Sequence, residues 1–253
     1  MSRVALVTGA ARGIGAATSR ALAAEGWSVV AVDRASPDER LPYPMASEDQ
    51  LEALAGDGIE VARVDVTDGA AVAALVADIG ALDAVVAAAG VIAGGVPLWE
   101  MPHEQVDAVL DVDLHGVIVT ARAAIPALLA RPAPRHGRFI AIASVAAMRG
   151  LPMLSAYSAA KAGVVGLIRG LAVELRGSGV TANAVSPGST RTPILDESGR
   201  LYGLESVAQF AAQHPIERLL EPEEVAALVV WLAGPAGAAV TGANVPVDGG
   251  LSI

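Results

Sequence analysis

The sequence contains no cysteine. That removes disulfides and thiolate metal sites, and it fits a reducing compartment. Lysine is almost missing as well: of 17 basic residues, only Lys161 is a lysine. Histidine is sparse, and His103, His115, His136 and His214 form no i, i+4 or HxH pair, so the spacing predicts surface or capping roles and no metal site. Basic charge is also in short supply. A formal net charge of -10 leaves no basic stripe for phosphate backbones, which argues against nucleic acid and for small-molecule partners. Long hydrophobic runs are lacking too. The opening MSRVALVTG reaches a glycine turn too soon for a signal peptide, and the apolar stretch from Val225 to Val240 is broken at Gly234-Pro235. The expectation is a soluble cytoplasmic protein with no membrane partner.

What is present is apolar and small. With 253 residues, 53% hydrophobic and 17% charged, the chain suits one compact α/β domain over 1–253. Apolar runs of strand length occur at 4–7, 28–32, 60–64, 84–88, 139–143, 180–185 and 244–247, separated by alanine-rich segments of helical length. Continuous rather than alternating apolar runs indicate strands covered on both faces. The pattern therefore predicts a Rossmann-type, doubly wound, seven-stranded parallel sheet with helices on both faces. Residues 35–47, with Pro37, Pro42 and Pro44, are too proline-rich for a helix and read as an inserted surface loop.

The first chemical motif is Thr8-Gly9-Ala-Ala-Arg12-Gly13-Ile14-Gly15, between the first strand and a helix ending near Gly26. Glycines there let the backbone approach a pyrophosphate, whose charge the helix N-terminus holds. The second strand ends at Asp33, where a carboxylate can accept from the adenosine ribose hydroxyls and repel the 2′-phosphate of NADP. Arg12 and Arg34 could attract that phosphate; the balance favours NAD over NADP. Asp65-Val66, after the third strand, could meet the adenine amino group, or Asp65 could cap the following helix.

The catalytic signal lies mid-chain in Ser155-Ala-Tyr157-Ser-Ala-Ala-Lys161. A spacing of four places both side chains on one helix face. Arginine replaces lysine everywhere else, but a compact ammonium that donates to ribose hydroxyls and lowers the pKa of a neighbouring phenol is a task for lysine. Ser144 closes the strand 139–143, at the end where ligands sit in parallel sheets, and its hydroxyl can point at the same place.

These residues together resemble the short-chain dehydrogenase/reductase family over essentially the whole length. The resemblance rests on Thr8-Gly9-x-x-x-Gly13-Ile14-Gly15, Asp33, Asp65-Val66, the Ser144 to Tyr157 spacing, Tyr157-x-x-x-Lys161, Asn183-x-Val-x-Pro187-Gly188 with Thr192, and the ending Thr241-Gly242-x-x-x-x-Val-Asp248-Gly249-Gly250. It implies hydride exchange between a nicotinamide and an alcohol or carbonyl. Tyr157 is then the general acid/base, Ser144 polarises the substrate oxygen, and Lys161 binds the nicotinamide ribose. The Pro187-Gly188 loop with Thr190 and Thr192 supports the nicotinamide. A homotetramer, formed through the helix bearing Tyr157 with its small residues Ala159, Ala162, Gly163 and Gly166, is implied as well.

Two departures stand out. Asp113, in Leu110-Asp-Val-Asp113-Leu-His-Gly116, occupies the place of an asparagine that holds a water in the family's proton relay. The expectation is retained but retuned activity, with the carboxylate on that water or paired with Lys161. An inactive nucleotide-binding regulatory protein is the reading that Asp113 alone would support. Ala87-Ala88-Ala89-Gly90 stands for the usual Asn-Asn-Ala-Gly and loses a side-chain hydrogen bond, while backbone contacts from Ala88, Ala89 and Gly90 to the cofactor can remain. A narrower likeness, through Leu41-Pro-Tyr-Pro44 and the 87–99 stretch, is to the mycofactocin-associated branch, which holds NAD tightly and passes electrons to an external redox carrier. The insert is then a clasp over the adenosine end, or else a tolerated surface insertion.

The substrate end is read from a lid at about 189–215. Ile194, Leu195, Leu201, Tyr202, Leu204 and Phe210, with Val145, Met148, Leu151 and Met153, predict a pocket for a hydrophobic secondary alcohol, or else packing against a neighbouring subunit.

Overall fold

The computed structural model describes residues 3–253. Among them, strands and helices alternate along the chain. β1 (Val4–Thr8), α1 (Gly13–Ala24), β2 (Ser28–Asp33), a short α2 (Glu48–Glu52), β3 (Ile59–Arg63), α3 (Gly69–Ile79) and β4 (Ala84–Ala87) form the first half. α4 (His103–Leu110), α5 (Gly116–Leu129), β5 (Arg138–Ile142), α6 (Ser155–Glu174), β6 (Thr181–Pro187), α7 (Pro193–Leu201), α8 (Pro222–Ala233) and β7 (Asn244–Val247) form the second. The strands join in one seven-stranded sheet of order β3-β2-β1-β4-β5-β6-β7, and every neighbouring pair is parallel. Each apolar run named above carries its strand, with ends displaced by no more than two residues. The chain is thus the doubly wound sheet that its sequence pattern predicts.

Burial explains why those runs read as continuous. β4, β5 and β6 are buried at every position, because helices cover both faces. On one face, Leu22 of α1 and Val225, Val229 and Leu232 of α8 pack with Val7, Val29 and Ile140 of the strands. On the other face, Val76, Leu128, Val164 and Ile168 of α3, α5 and α6 pack with Leu6, Val85 and Phe139. The continuous helix His103–Leu129 and α6 are both long and apolar enough to cross a membrane by length and composition, yet α5 and α6 press directly on the strands of this sheet. The order of strands reverses its direction of growth between β1 and β4, and a cleft opens there beyond the carboxyl ends.

One helix is irregular. Between α4 and α5, residues Asp111–His115 wind as a π-turn, wider than the α-helix on either side. Such an extra residue within a helix costs regular hydrogen bonding and is frequent at functional sites. Here it carries Asp113, which is fully buried.

Candidate active site

A cleft of about 680 Å3 runs from Asp33 and Asp65 at one end, past the glycine loop, to Ser144, Tyr157 and Lys161 at the other. Every residue that the sequence singled out for the cofactor or for catalysis lines it, except Asp113, which lies one layer behind Lys161. The glycine loop is shaped by close approach. A Cβ on Gly15 would stand 2.1 Å from the Gly9 carbonyl oxygen, and one on Gly9 would stand 2.5 Å from the backbone of Ala89. Gly9 and Gly13 also have φ of +65° and +58°, values that side chains oppose. The loop therefore leaves a cradle of backbone at the N-terminus of α1 that side chains would fill, which fits a pyrophosphate. Thr8 braces it in a way the sequence did not reveal: its Oγ1 accepts from the N–H of Ala88 at 3.2 Å and of Ala89 at 3.4 Å. That fixes the alanine loop whose usual asparagine side chain is missing.

At the adenosine end, both oxygens of Asp33 accept backbone N–H bonds, from Ala11 at 3.1 Å and Ala35 at 3.0 Å. The carboxylate is thereby fixed, with lone pairs left for ribose hydroxyls. Arg34 differs from its expected role. Its guanidinium donates to Ser36 Oγ at 3.0 Å, to Asp38 at 3.0 Å and to the Pro37 carbonyl, and it lies 3.5 Å from Asp65. Arg12 donates to the Pro44 carbonyl at 3.1 Å. The two arginines that could attract a 2′-phosphate are thus engaged with the chain itself, and the donors fit NAD. Asp65 makes a local turn, accepting from Thr67 N–H at 2.9 Å and Thr67 Oγ1 at 2.8 Å. It does not cap α3; Asp68 does, accepting from Ala70 and Ala71. Val66 is buried against Gly116.

The proline-rich segment 35–47 forms no helix or strand, in keeping with its composition, but it is anchored to the body of the protein. Leu41 and Ala46 are buried, and Tyr43 packs into the cluster that holds Val91, Ile92, Val112 and Tyr157. The Tyr43 hydroxyl accepts from Ile92 N–H at 2.9 Å, and burial pushes the phenol pKa upward. Arg40 ties the segment down, donating to Asp38 at 2.9 and 3.0 Å and to Asp111 on the π-turn at 2.7 Å. Its bond to Asp38 is the main reason that carboxyl falls to about 2. Prolines disfavour regular structure here without forbidding apolar contact.

At the catalytic end, β5 presents Ser144 just beyond its last residue. Its Oγ accepts from Ala146 N–H at 3.1 Å, starting the turn Val145–Ala147, which leaves the hydroxyl proton for Tyr157 or a ligand. Tyr157 and Lys161 lie on the same face of α6, with the Lys161 Nζ 5.6 Å from the tyrosine ring centre. Lys161 donates to the Ile142 carbonyl at 3.2 Å and faces Asp113 Oδ2 at 3.0 Å. The latter contact is a buried ion pair. Asp113 Oδ1 accepts from Val91 N–H at 2.7 Å. Of the two expected uses of Asp113, the structure has the ion pair. Gly90 closes the group from above; a Cβ there would come within 3.3 Å of the Lys161 nitrogen and 3.4 Å of the carboxylate.

Burial and charge oppose each other in this group. Burial raises the Tyr157 pKa above that of an ordinary phenol. Lys161 pulls it down, Asp113 pushes it back up, and Ser144 helps to lower it. Lys161 thus acts in the expected direction, and burial together with Asp113 outweighs it so that the net direction is upward. Asp113 is raised by burial against the pull of Lys161. Lys161 is depressed by burial, yet ends above its usual value because Asp113 and Tyr157 favour its charged form.

On the substrate side, Ile194, Leu195, Tyr202, Leu204, Phe210, Val145 and Leu151 line the cleft as expected. Leu201, Met148 and Met153 do not, and the two methionines face solvent instead. Thr192 caps α7, and its methyl lies 3.2 Å from where a Cβ on Gly13 would stand, so α7 closes against the glycine loop. Thr190 Oγ1 donates to the Gly188 carbonyl at 3.0 Å. Gly188 leaves no room for a side chain over Asp248, at 2.9 Å. His214 is buried rather than at the surface: Nδ1 lies 3.0 Å from the Phe210 carbonyl and Nε2 accepts from Ser189 N–H at 3.2 Å. It pins the Pro187-Gly188 loop to the lid. Arg149, which sequence reasoning passed over, also lines the cleft.

Residues 9–252 match the family model described as enoyl-(acyl carrier protein) reductase, of the short-chain alcohol dehydrogenase type. The chain belongs to the short-chain dehydrogenase/reductase family. Among relatives, it is 40% identical over 258 residues to cis-4-hydroxycyclohexanecarboxylate dehydrogenase of Sinomonas cyclohexanicum, covering 99% of this chain and 96% of that one. It is 35% identical to 2-dehydro-3-deoxy-L-rhamnonate dehydrogenase (NAD(+)) of a Sphingomonas strain, covering 98% and 94%. Among solved structures it resembles carveol dehydrogenase from Mycobacterium avium in complex with NAD, with a TM-score of 0.92, 32% identity, and coverage of 98% and 97%. The chain is therefore an NAD-dependent short-chain oxidoreductase acting on alcohol and carbonyl groups, and Ser144, Tyr157 and Lys161 share one cleft with its glycine loop and Asp33.

Proposed function

We propose that this protein is an NAD-dependent dehydrogenase of a hydrophobic secondary alcohol. The observation that carries the reading is the placement of Ser144 and Tyr157 in one cleft with the glycine cradle and an apolar lid. Gly9, Gly13, Ile14 and Gly15 hold the pyrophosphate; Asp33 holds the adenosine ribose, with Asp65 and Val66 beside the adenine. Ala88 to Gly90, Pro187, Gly188, Thr190 and Thr192 flank the nicotinamide half. When bound, NAD supplies the hydride acceptor.

The chain's own groups do the rest. Ser144 donates a hydrogen bond from its hydroxyl to the substrate oxygen and so orients the carbinol. Tyr157, as phenolate, takes the hydroxyl proton in oxidation and returns it in reduction. Lys161 keeps one donor for the nicotinamide ribose and stabilises the phenolate. Asp113 holds Lys161 in place through charge and weakens its effect on Tyr157, so oxidation gains with rising pH as the phenolate fraction grows.

The segment 35–47 is a clasp that retains NAD, through the Arg40 bonds to Asp38 and Asp111 and the seat of Tyr43 among buried side chains. Electrons then leave through an external redox carrier, as the likeness to the mycofactocin-associated branch suggests. The protein works in the cytoplasm as a homotetramer, in which the small exposed residues Ala159, Ala162 and Gly166 let two α6 helices approach. A panel of cyclic secondary alcohols, assayed with NAD and in parallel with an artificial electron acceptor, tests the activity. Tyr157→Phe is expected to lower kcat by about 10²- to 10⁴-fold with unchanged circular dichroism. Turnover close to wild type in that variant would remove Tyr157 from the mechanism.

A further inference from the structure

The charged residues that line the cleft are unevenly placed. Its acids, Asp33, Asp38 and Asp65, all sit at the adenosine end beside Arg12 and Arg34, and Lys161 belongs to the catalytic group. Beyond Ser144 the wall is mostly apolar, with Val145, Leu151, Leu154, Ile194, Leu195 and Phe210, and its uncharged polar side chains are those of Ser198, Tyr202 and Gln213. A single charged side chain breaks it, that of Arg149. In a chain where acids outnumber bases by 27 to 17, this exposed arginine at the mouth of the wall has no carboxylate among the neighbouring wall residues.

Arg149 is also held in position. Its Nη1 donates to the Leu251 carbonyl at 2.7 Å. Leu251 is buried, and the turn that carries it is fixed by Asp248, which accepts from Gly250 and Ser252 N–H at 2.9 Å each. One nitrogen of the guanidinium is thus anchored to backbone, while the Nε and Nη2 edge keeps the paired donors that match a carboxylate. The 3-10 turn Val145–Ala147 separates Arg149 from Ser144, and at a rise of about 2 Å per residue the backbone distance is at most about 10 Å. That span is of the order of a six-membered ring substituted at its 1 and 4 positions.

We infer that Arg149 is a specificity-determining residue that binds a carboxylate on the far end of the substrate, so the natural substrate is a hydroxy acid with an apolar body. The inference rests on the alcohol-oxidising reading given above. Without an anion, the exposed guanidinium stands at the edge of an apolar surface, bonded only through Nη1. With one, it sets the orientation of the ring and directs the hydroxyl toward Ser144 and Tyr157.

The experiment compares cis-4-hydroxycyclohexanecarboxylate with its methyl ester, using wild type and Arg149→Gln, under identical cofactor and acceptor conditions. Wild type is expected to favour the acid over the ester in kcat/KM by about 10- to 100-fold, the range of a charge-assisted pair. In Arg149→Gln that ratio should collapse toward one through KM, and Arg149→Lys should recover part of it, because lysine keeps the charge and loses the paired geometry. Equal use of acid and ester by wild type, or a ratio untouched in Arg149→Gln, overturns the inference and leaves the dehydrogenase reading standing. Oxidation of neither compound by wild type overturns both for cyclic alcohols.

Discussion

At the adenosine end of the cleft, Asp33, Arg34, Asp38, Arg40 and Asp65 are bonded to one another and to backbone, and most of them keep contact with solvent. At the catalytic end, Asp113 and Lys161 face each other at 3.0 Å with almost no exposure. Exposed charges, screened and hydrated, act mainly as fasteners and contribute little each. Buried ones act on every neighbouring proton, because nothing screens them. The same residue types therefore fix a loop in one place and set the acidity of a phenol in the other.

The contrast is broken most severely by removing Lys161. Lys161→Ala leaves Asp113 buried without its counter-charge, a change that typically costs about 3–5 kcal/mol. A marked fall in Tm is expected together with loss of turnover. Adding Asp113→Asn should restore much of the stability and none of the activity. If the double variant melts no higher than the single one, the ion pair is not what the stability loss reports.

At the other end, wild type purified without added nucleotide is expected to release nicotinamide on denaturation, detected by absorbance and mass spectrometry. Arg40→Ala cuts the segment 35–47 from Asp38 and Asp111 and should release the nucleotide roughly tenfold faster, an effect of the size of one charge-assisted bond. Retention in wild type should be flat from about pH 5 to 8. Asp38, held near 2 from an ordinary 3.8, contributes its bonds at every pH above its ordinary value and loses them only as pH falls through about 2. Protein that emerges free of nicotinamide would leave the segment no clasping role.

The smallest change sharpens the comparison most. In Asp113→Asn the carboxylate that pushes the Tyr157 pKa up is gone, while Lys161 still pulls it down. The acid limb of the pH profile for alcohol oxidation is therefore expected to move to lower pH, with little change in the plateau. A limb that stays in place would show that the two groups do not share a field. Asp113 also bears on the inactive regulatory reading: paired with Lys161, it leaves Ser144 and Tyr157 free to act.

The sheet was legible because its signal is local. A strand covered on both faces must be apolar along its whole length, and that can be read without knowing its neighbours. The glycine loop, Asp33, Ser144, Tyr157 and Lys161 were legible for a similar reason, since spacing within one strand end or one helix turn fixes their relation. What escaped depends on partners far away in the chain. Nothing near Thr8 announces that its hydroxyl holds Ala88 and Ala89 in place. The prolines of 35–47 concealed Leu41 and Tyr43, whose burial depends on residues 91, 92 and 112. The π-turn at Asp111–His115 has no local signature, and Arg149 resembles any other arginine until Leu251 is beside it.

One consequence concerns labelling chemistry. Lys161 is the chain's single lysine and is 4% exposed, so the protein offers amine-reactive reagents one ε-amino group, and that group lies at the floor of the cleft. Acylation there would remove the charge that Asp113 and Tyr157 both feel. Its rate would therefore read, at a single defined atom, how often the cleft stands open.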